Sequence, residues 1–105
     1  MTCTAKSACI ANSVRVVIPI TTKEFGTVYA VAIGAMMVGS IILSVHTGST
    51  VRRGDELGYF KFGGSTIVLL IDSARVRLDN DLVSNSDSCI ETLVEVGMHI
   101  GRART

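Results

Sequence analysis

The sequence predicts a mainly antiparallel β domain, a β sandwich or barrel-sandwich hybrid with little helix. Three observations predict it. Short runs rich in β-branched residues recur, as in "VRVVIPI" (14–20) and "TIVLLI" (66–71), and such residues suit a pleated, half-buried backbone. Glycine-bearing polar stretches such as "HTGSTVRRGDELG" separate the runs at turn spacing. Finally, "SVHTGSTV" and "VEVGMHI" echo one another, each placing an apolar strand before Gly-x-x-Val/Ile at Gly48/Val51 and Gly97/Ile100. Two similar hairpins folded over each other would produce that echo.

The elements follow in chain order. Residues 1–13 are expected to form a poorly ordered tail, and 14–105 a single domain. The strand at 14–20 is expected to reach a sheet edge at Pro19, which has no N–H to donate. "TTKEFG" is a polar connector, and strands over 27–33 and 38–46 come next. Thr27 to Val45 is 19 residues without a charge, long enough to span a membrane as a helix. Glycines at 26, 34 and 39 and the alternation of Val28, Ala30 and Ala32 favour buried strands instead. Strands at 57–62 and 66–71 flank the stretch GGST. "SARVRLDNDL" sets Ala74, Val76 and Leu78 against Arg75, Arg77 and Asp79, so one face is wet. Ser88-x-x-Glu91 has capping-box form, which predicts a helical turn near 86–91, with a strand over "TLVEVGMHIG" after it.

Composition excludes several classes of function. At 48% hydrophobic against 18% charged residues, the chain can build a core, although a small one. A net charge of +1 and five aromatic residues argue against nucleic acid as a partner. Cys3, Cys9 and Cys89 fit neither a zinc knuckle nor a redox pair and read as ordinary thiols. The start lacks a secretory signal, so an intracellular protein is expected.

Most candidate chemistry has a plainer explanation. His46 and His99 have no acid at a fixed spacing to pair with. Arg53-Gly54-Asp55 reads as a turn, and Met36-Met37 as core filling. Asp79-Asn80-Asp81 lacks the glycine and distant glutamate of a calcium loop, and no metal site is expected. Gly63-Gly64-Ser65-Thr66 is different. By composition it suits a glycine bulge. It also suits intramolecular acyl transfer, because Gly64 has no Cβ to shield its carbonyl and tolerates the backbone strain that brings the Ser65 hydroxyl onto it. Attack would turn the peptide into an ester. Elimination across Ser65, followed by hydrolysis, would leave a pyruvoyl group on a new N-terminus.

The flanking residues bear on that choice. "FGTVYAVAIGAMMVGSI", "VRRGDELGYFKFGGSTIVLL" and "DNDLVSNSDSCIETLVEVGMHIG" together resemble the C-terminal part of the phosphatidylserine decarboxylase family, over roughly 14–101. The most specific element is GDELGYFKFGGST at 54–66. The resemblance implies a zymogen that cleaves itself between Gly64 and Ser65, with Gly63 and Thr66 beside the bond and Ser65 the pyruvoyl precursor. It implies a lyase of phospholipid biosynthesis, converting phosphatidylserine to phosphatidylethanolamine and CO₂ at a membrane surface. Some relatives act instead on soluble amino acids such as tryptophan. The family carries an upstream histidine segment, around an FHR-type motif, and an aspartate, on both of which self-cleavage depends. No stretch here matches that segment, so the chain alone is expected to stay uncleaved or to cleave slowly. Its expected partner is the missing N-terminal portion of the same enzyme, or a second copy.

Two other readings stay open on the residues. "GSTVRRGDELGYFKF" has the look of a biotinyl or lipoyl carrier hairpin with Lys61 near the modified position, although Phe60 and Phe62 replace the usual neighbours. Alternatively, the domain is an inactive structural or interaction module.

Overall fold

Strands form where the β-branched runs lie. The computed structural model describes residues 2–3, 6–10, 13–34, 41–61 and 66–104. In chain order the strands are β1 (Thr2–Cys3), β2 (Lys6–Ile10), β3 (Ser13–Thr22), β4 (Gly26–Gly34) and β5 (Ile41–Leu43), then β6 (Ser49–Thr50), β7 (Gly58–Phe60), β8 (Thr66–Leu70), β9 (Val76–Leu78) and β10 (Gly101–Ala103). A single helix, α1 (Asn80–Asp87), lies among the described residues between β9 and β10. Every strand pairing is antiparallel. The predicted class, mainly antiparallel β with little helix, is the one found, and the sheets do not close into a barrel.

The large sheet runs β6-β1-β3-β4-β8, with β2 also on β3; β5–β7 and β9–β10 are separate two-stranded ribbons. The hairpin β3–β4 is its backbone, registered from Val14↔Gly34 to Thr22↔Gly26. Thr22 closes that hairpin: its Oγ1 donates to the Gly26 carbonyl at 2.8 Å and accepts from the Phe25 N–H at 2.9 Å.

Period-two alternation decides the core. Val16 and Ile18 of β3 and Ala30 of β4 share one face and are buried with Val45 and Val51. Ile20, Ala32, Ile41, Leu43 and Leu57 pack around them, so the β5–β7 ribbon covers this inner face. Each such valine, leucine or isoleucine side chain, once fully buried, contributes about 1.5–3 kcal/mol. The outer face is also apolar but open: Tyr29, Val68 and Leu70 are exposed there, on registers Val31↔Val68 and Tyr29↔Leu70.

Three details depart from the sequence expectation. Inside the segment expected as a tail, Thr2–Cys3 and Lys6–Ile10 pair with β3, because the edge of β3 opposite β4 offers backbone groups that need partners. β3 runs through Pro19 to Thr22 rather than ending there. β1 registers with Thr21 and Ile20 and β2 with Val17 through Ser13, so neither ladder calls on Pro19 for an N–H. The helix lies at 80–87, not 86–91, and no strand covers 90–100. Asp79, with extended backbone, is the N-cap, Asp81 sits in the positive first turn, and Ser88 is the C-cap.

The two echoed segments share a turn, but no strand precedes the second of them. Ser49 N–H bonds to the His46 carbonyl at 3.0 Å and Met98 N–H to that of Glu95 at 3.1 Å. Gly48 and Gly97 take the positive φ (86° and 88°) that the third position of such a turn demands.

Candidate functional site

β7 ends at Phe60 and β8 begins at Thr66. Of the predicted site, Gly63, Gly64 and Ser65 lie outside the described residues, as does Phe62, and Thr66 is described. The flanks locate the link. Phe60 is registered opposite Ile41 in the β5–β7 ribbon, and Thr66 opposite Ile33 in the large sheet. GGST therefore joins two different sheets rather than interrupting one strand. Lys61 and Thr66, at the ends of the link, are both exposed.

Next to Phe60 and Ile67, which flank the link, the two sheets border a half-open apolar groove of about 380 Å³. Ile18, Ala30 and Ile67 line it from the large sheet, and Leu43, Leu57 and Phe60 from the ribbon side. Among the described residues its lining contains no histidine, carboxylate, lysine or arginine, and the Tyr59 phenol is the one titratable group. Such a space can take an apolar group. It supplies no base for a serine hydroxyl, and a serine without one is a weak nucleophile at neutral pH.

The histidines lie elsewhere. His46 belongs to an exposed turn, its N–H donating to Ser49 Oγ at 3.0 Å. His99 Nδ1 lies 2.8 Å from Asp79 Oδ2, an exposed pair at the end of the β9–β10 ribbon. The sequence held that pair without a fixed spacing to reveal it, because a turn-rich loop and α1 separate the two residues. Asp81 Oδ1 accepts from the Leu82 N–H at 2.9 Å, at the start of α1. Arg52 N–H donates to Asp55 Oδ2 at 2.8 Å and Asp55 N–H to the Arg52 carbonyl at 3.1 Å, so the Arg-Gly-Asp tripeptide is a turn. No group of three or more metal-ligating side chains gathers among the described residues. No helix there is long and apolar enough to cross a membrane, and residues 27–34 of the uncharged run are strand.

Comparison with known proteins extends over nearly the whole chain. The sequence profile of the family described as phosphatidylserine decarboxylase matches residues 2–102. Over 90 residues the chain is 60% identical to the phosphatidylserine decarboxylase proenzyme 2 of Komagataella phaffii, covering 86% of this chain and 9% of that protein. The proenzyme 3 of Schizosaccharomyces pombe is 56% identical over 91 residues, with 87% and 9% covered. The proenzyme of Chlamydia pneumoniae is 42% identical over 90 residues, with 86% and 30% covered. The chain thus spans about a tenth of the fungal relatives and under a third of the bacterial one. No solved structure matches it.

Proposed function

Because the chain belongs to the phosphatidylserine decarboxylase family, we propose that it is the C-terminal, pyruvoyl-forming part of a decarboxylase acting on phosphatidylserine. The observation that carries this reading is the family match over residues 2–102, which include Gly64 and Ser65, together with 42–60% identity over 90 residues to proteins named proenzymes. In the proposed processing, Ser65 Oγ attacks the Gly64 carbonyl and the acyl group moves from nitrogen to oxygen. Loss of the Ser65 α-proton expels the Gly64 carboxylate, which ends residues 1–64. Water then replaces the freed amine nitrogen as ammonia, leaving a pyruvoyl group at the start of residues 65–105. When formed, that carbonyl supplies an electron sink for loss of CO₂ from an amine-bearing carboxylate.

The chain's own residues have narrower roles. β7 and β8 hold the two ends of the link on separate sheets, so Gly63 and Gly64 provide the backbone freedom between them. The apolar groove next to Phe60 and Ile67 supports a substrate carrying an apolar group, and so a lipid rather than a small polar amino acid. Among the described residues the groove offers no base, which supports slow cleavage by this chain alone and a dependence on an upstream portion of the enzyme. The open outer face of β4 and β8 is the surface that portion would cover.

Intact-mass spectrometry of the chain, alone and co-produced with the upstream part of the Komagataella proenzyme, tests the reading. Cleavage after Gly64 is expected to be slow alone and faster with the upstream part, with a carbonyl-bearing N-terminus on the smaller piece. Ser65→Ala should abolish it. A full-length mass for both forms under both conditions would overturn the proposal.

A further inference from the structure

The register of the β9–β10 ribbon gathers positive charge that the sequence keeps far apart. Arg102 stands directly opposite Arg77, and the Arg104 N–H bonds to the Arg75 carbonyl at 2.8 Å, one step further along the ladder. Directly opposed residues on antiparallel strands point to the same side. Arg75, Arg77, Arg102 and Arg104 therefore share one face of the ribbon, and all are exposed. The other face carries Val76, Leu78 and Gly101, which, with part of Arg102, line an apolar cavity against Ile20, Val28 and Leu69 of the large sheet. The ribbon is amphipathic, with its apolar face toward the sheet and its arginines on the other, Arg102 also bordering the apolar cavity and Arg75 reaching the turn at Gly26.

Like charges placed directly opposite destabilise a strand pair. Among the described residues no carboxylate lies within ion-pair distance of these arginines, and the one ion pair is His99–Asp79. Arg75 is partly occupied, its Cδ lying 3.1 Å from where a Cβ on Gly26 would stand. Arg77 and Arg102 instead line a polar pocket of about 200 Å³ with Leu78, Asp79 and Asn80. Asp79, which shares the pocket, is engaged through Oδ2 by His99. A pair of guanidiniums without ion-pair partners around a small pocket is suited to a phosphate, which accepts paired N–H donors from each fork.

We infer that the arginine face of the β9–β10 ribbon docks the protein on an anionic phospholipid bilayer, with Arg77 and Arg102 clasping headgroup phosphates. The inference rests on the proposed lipid substrate, which is itself anionic and resides in a bilayer. It adds the surface by which this part of the enzyme would meet that bilayer. Charge complementarity carries it. On a chain of net charge +1, this ribbon face holds four cations that the fold could have dispersed.

The test is co-sedimentation of the full chain with phosphatidylcholine vesicles, with and without phosphatidylserine, at low and at physiological salt. Binding should require phosphatidylserine and weaken as salt rises. Arg77→Gln should lower partitioning about fivefold and Arg77→Gln/Arg102→Gln on the order of twenty-five-fold, at about 1 kcal/mol per basic residue near the surface. The control Arg52→Gln/Arg53→Gln removes an exposed pair in the turn before Asp55 and should bind nearly as the parent does. Arg77→Glu provides the folding control. It places opposite charges across the ribbon, so thermal stability should hold or rise while vesicle binding falls. Equal losses in both double variants, undiminished binding without Arg77 and Arg102, or binding of inorganic phosphate without vesicle binding would each overturn the inference. Self-cleavage is read separately by mass. A chain that sediments on these vesicles through Arg77 and Arg102 but never cleaves keeps the docking face and loses the processing proposal, and the reverse result does the opposite.

Discussion

Thr66 is registered opposite Ile33, so the strand that starts directly after Ser65 is bonded to β4 from its first residue. Register pairs continue through Ile67, Val68, Leu69 and Leu70. Cleavage at Gly64–Ser65 would break the chain without breaking this ladder. The two pieces are therefore expected to co-elute in size-exclusion chromatography and to separate only in denaturant. Elution of residues 65–105 by themselves in native buffer would show that β4–β8 pairing does not hold the cleaved form together.

Ile18 is 4% exposed and sits in the cluster between the large sheet and the β5–β7 ribbon. Ile18→Ala should lower unfolding free energy by about 2–5 kcal/mol, from lost transfer energy and a residual cavity. Leu93, 85% exposed, provides the contrast. Leu93→Ala should fall within about 0.5 kcal/mol of the parent. Denaturant titration of the two variants side by side measures the difference.

Cys89 takes φ 58° where α1 ends. Ile90 N–H bonds to the Asn85 carbonyl at 2.8 Å and Cys89 N–H to that of Ser86 at 3.0 Å, the paired bonds of a left-handed helix stop. A side chain in that conformation costs about 1–2 kcal/mol. Cys89→Gly should thus stabilise the chain, by about 1 kcal/mol once the greater freedom of unfolded glycine is set against the relief. An unchanged or lower melting temperature would count against this stop being strained.

Val68 faces outward from the edge strand β8 and is 38% exposed, beside Leu70 at 52% and Tyr29 at 42%. An apolar edge of this kind invites pairing with another chain. Val68→Lys should keep the isolated chain monomeric to higher concentration, as read by light scattering. The same change should weaken any acceleration of cleavage by the upstream part of the enzyme, since it places a charge in the face that part would cover. Full acceleration with Val68→Lys would mean that the upstream part docks elsewhere.

Much of the strand content was legible because burial imprints a period of two. Val16, Ile18, Val28 and Ala30 alternate in sequence and share one buried face in the fold. The helix was displaced because Ser88-x-x-Glu91 has the form of a start, whereas Asp79 and Asp81 satisfy the electrostatics of one earlier. Single-residue capping signals are local and weak, and the return of Ile100 to Asp79, bonded at 2.9 Å, helps decide between them.

By itself, the sequence determined the β class, the Gly-bearing turns, the family and the residues Gly64 and Ser65 on which the proposed processing depends. These rest on periodicity, on backbone sterics and on residue order, all of which are local properties of a chain. Only the tertiary structure decided that the strands flanking GGST belong to two sheets, that an apolar groove with no base among the described residues lies next to those strands, and that Arg77 and Arg102 stand face to face. Each of these depends on register between strands distant in sequence. Register is set by which side chains share a buried face and which backbone groups find partners, and neither is written in any one segment.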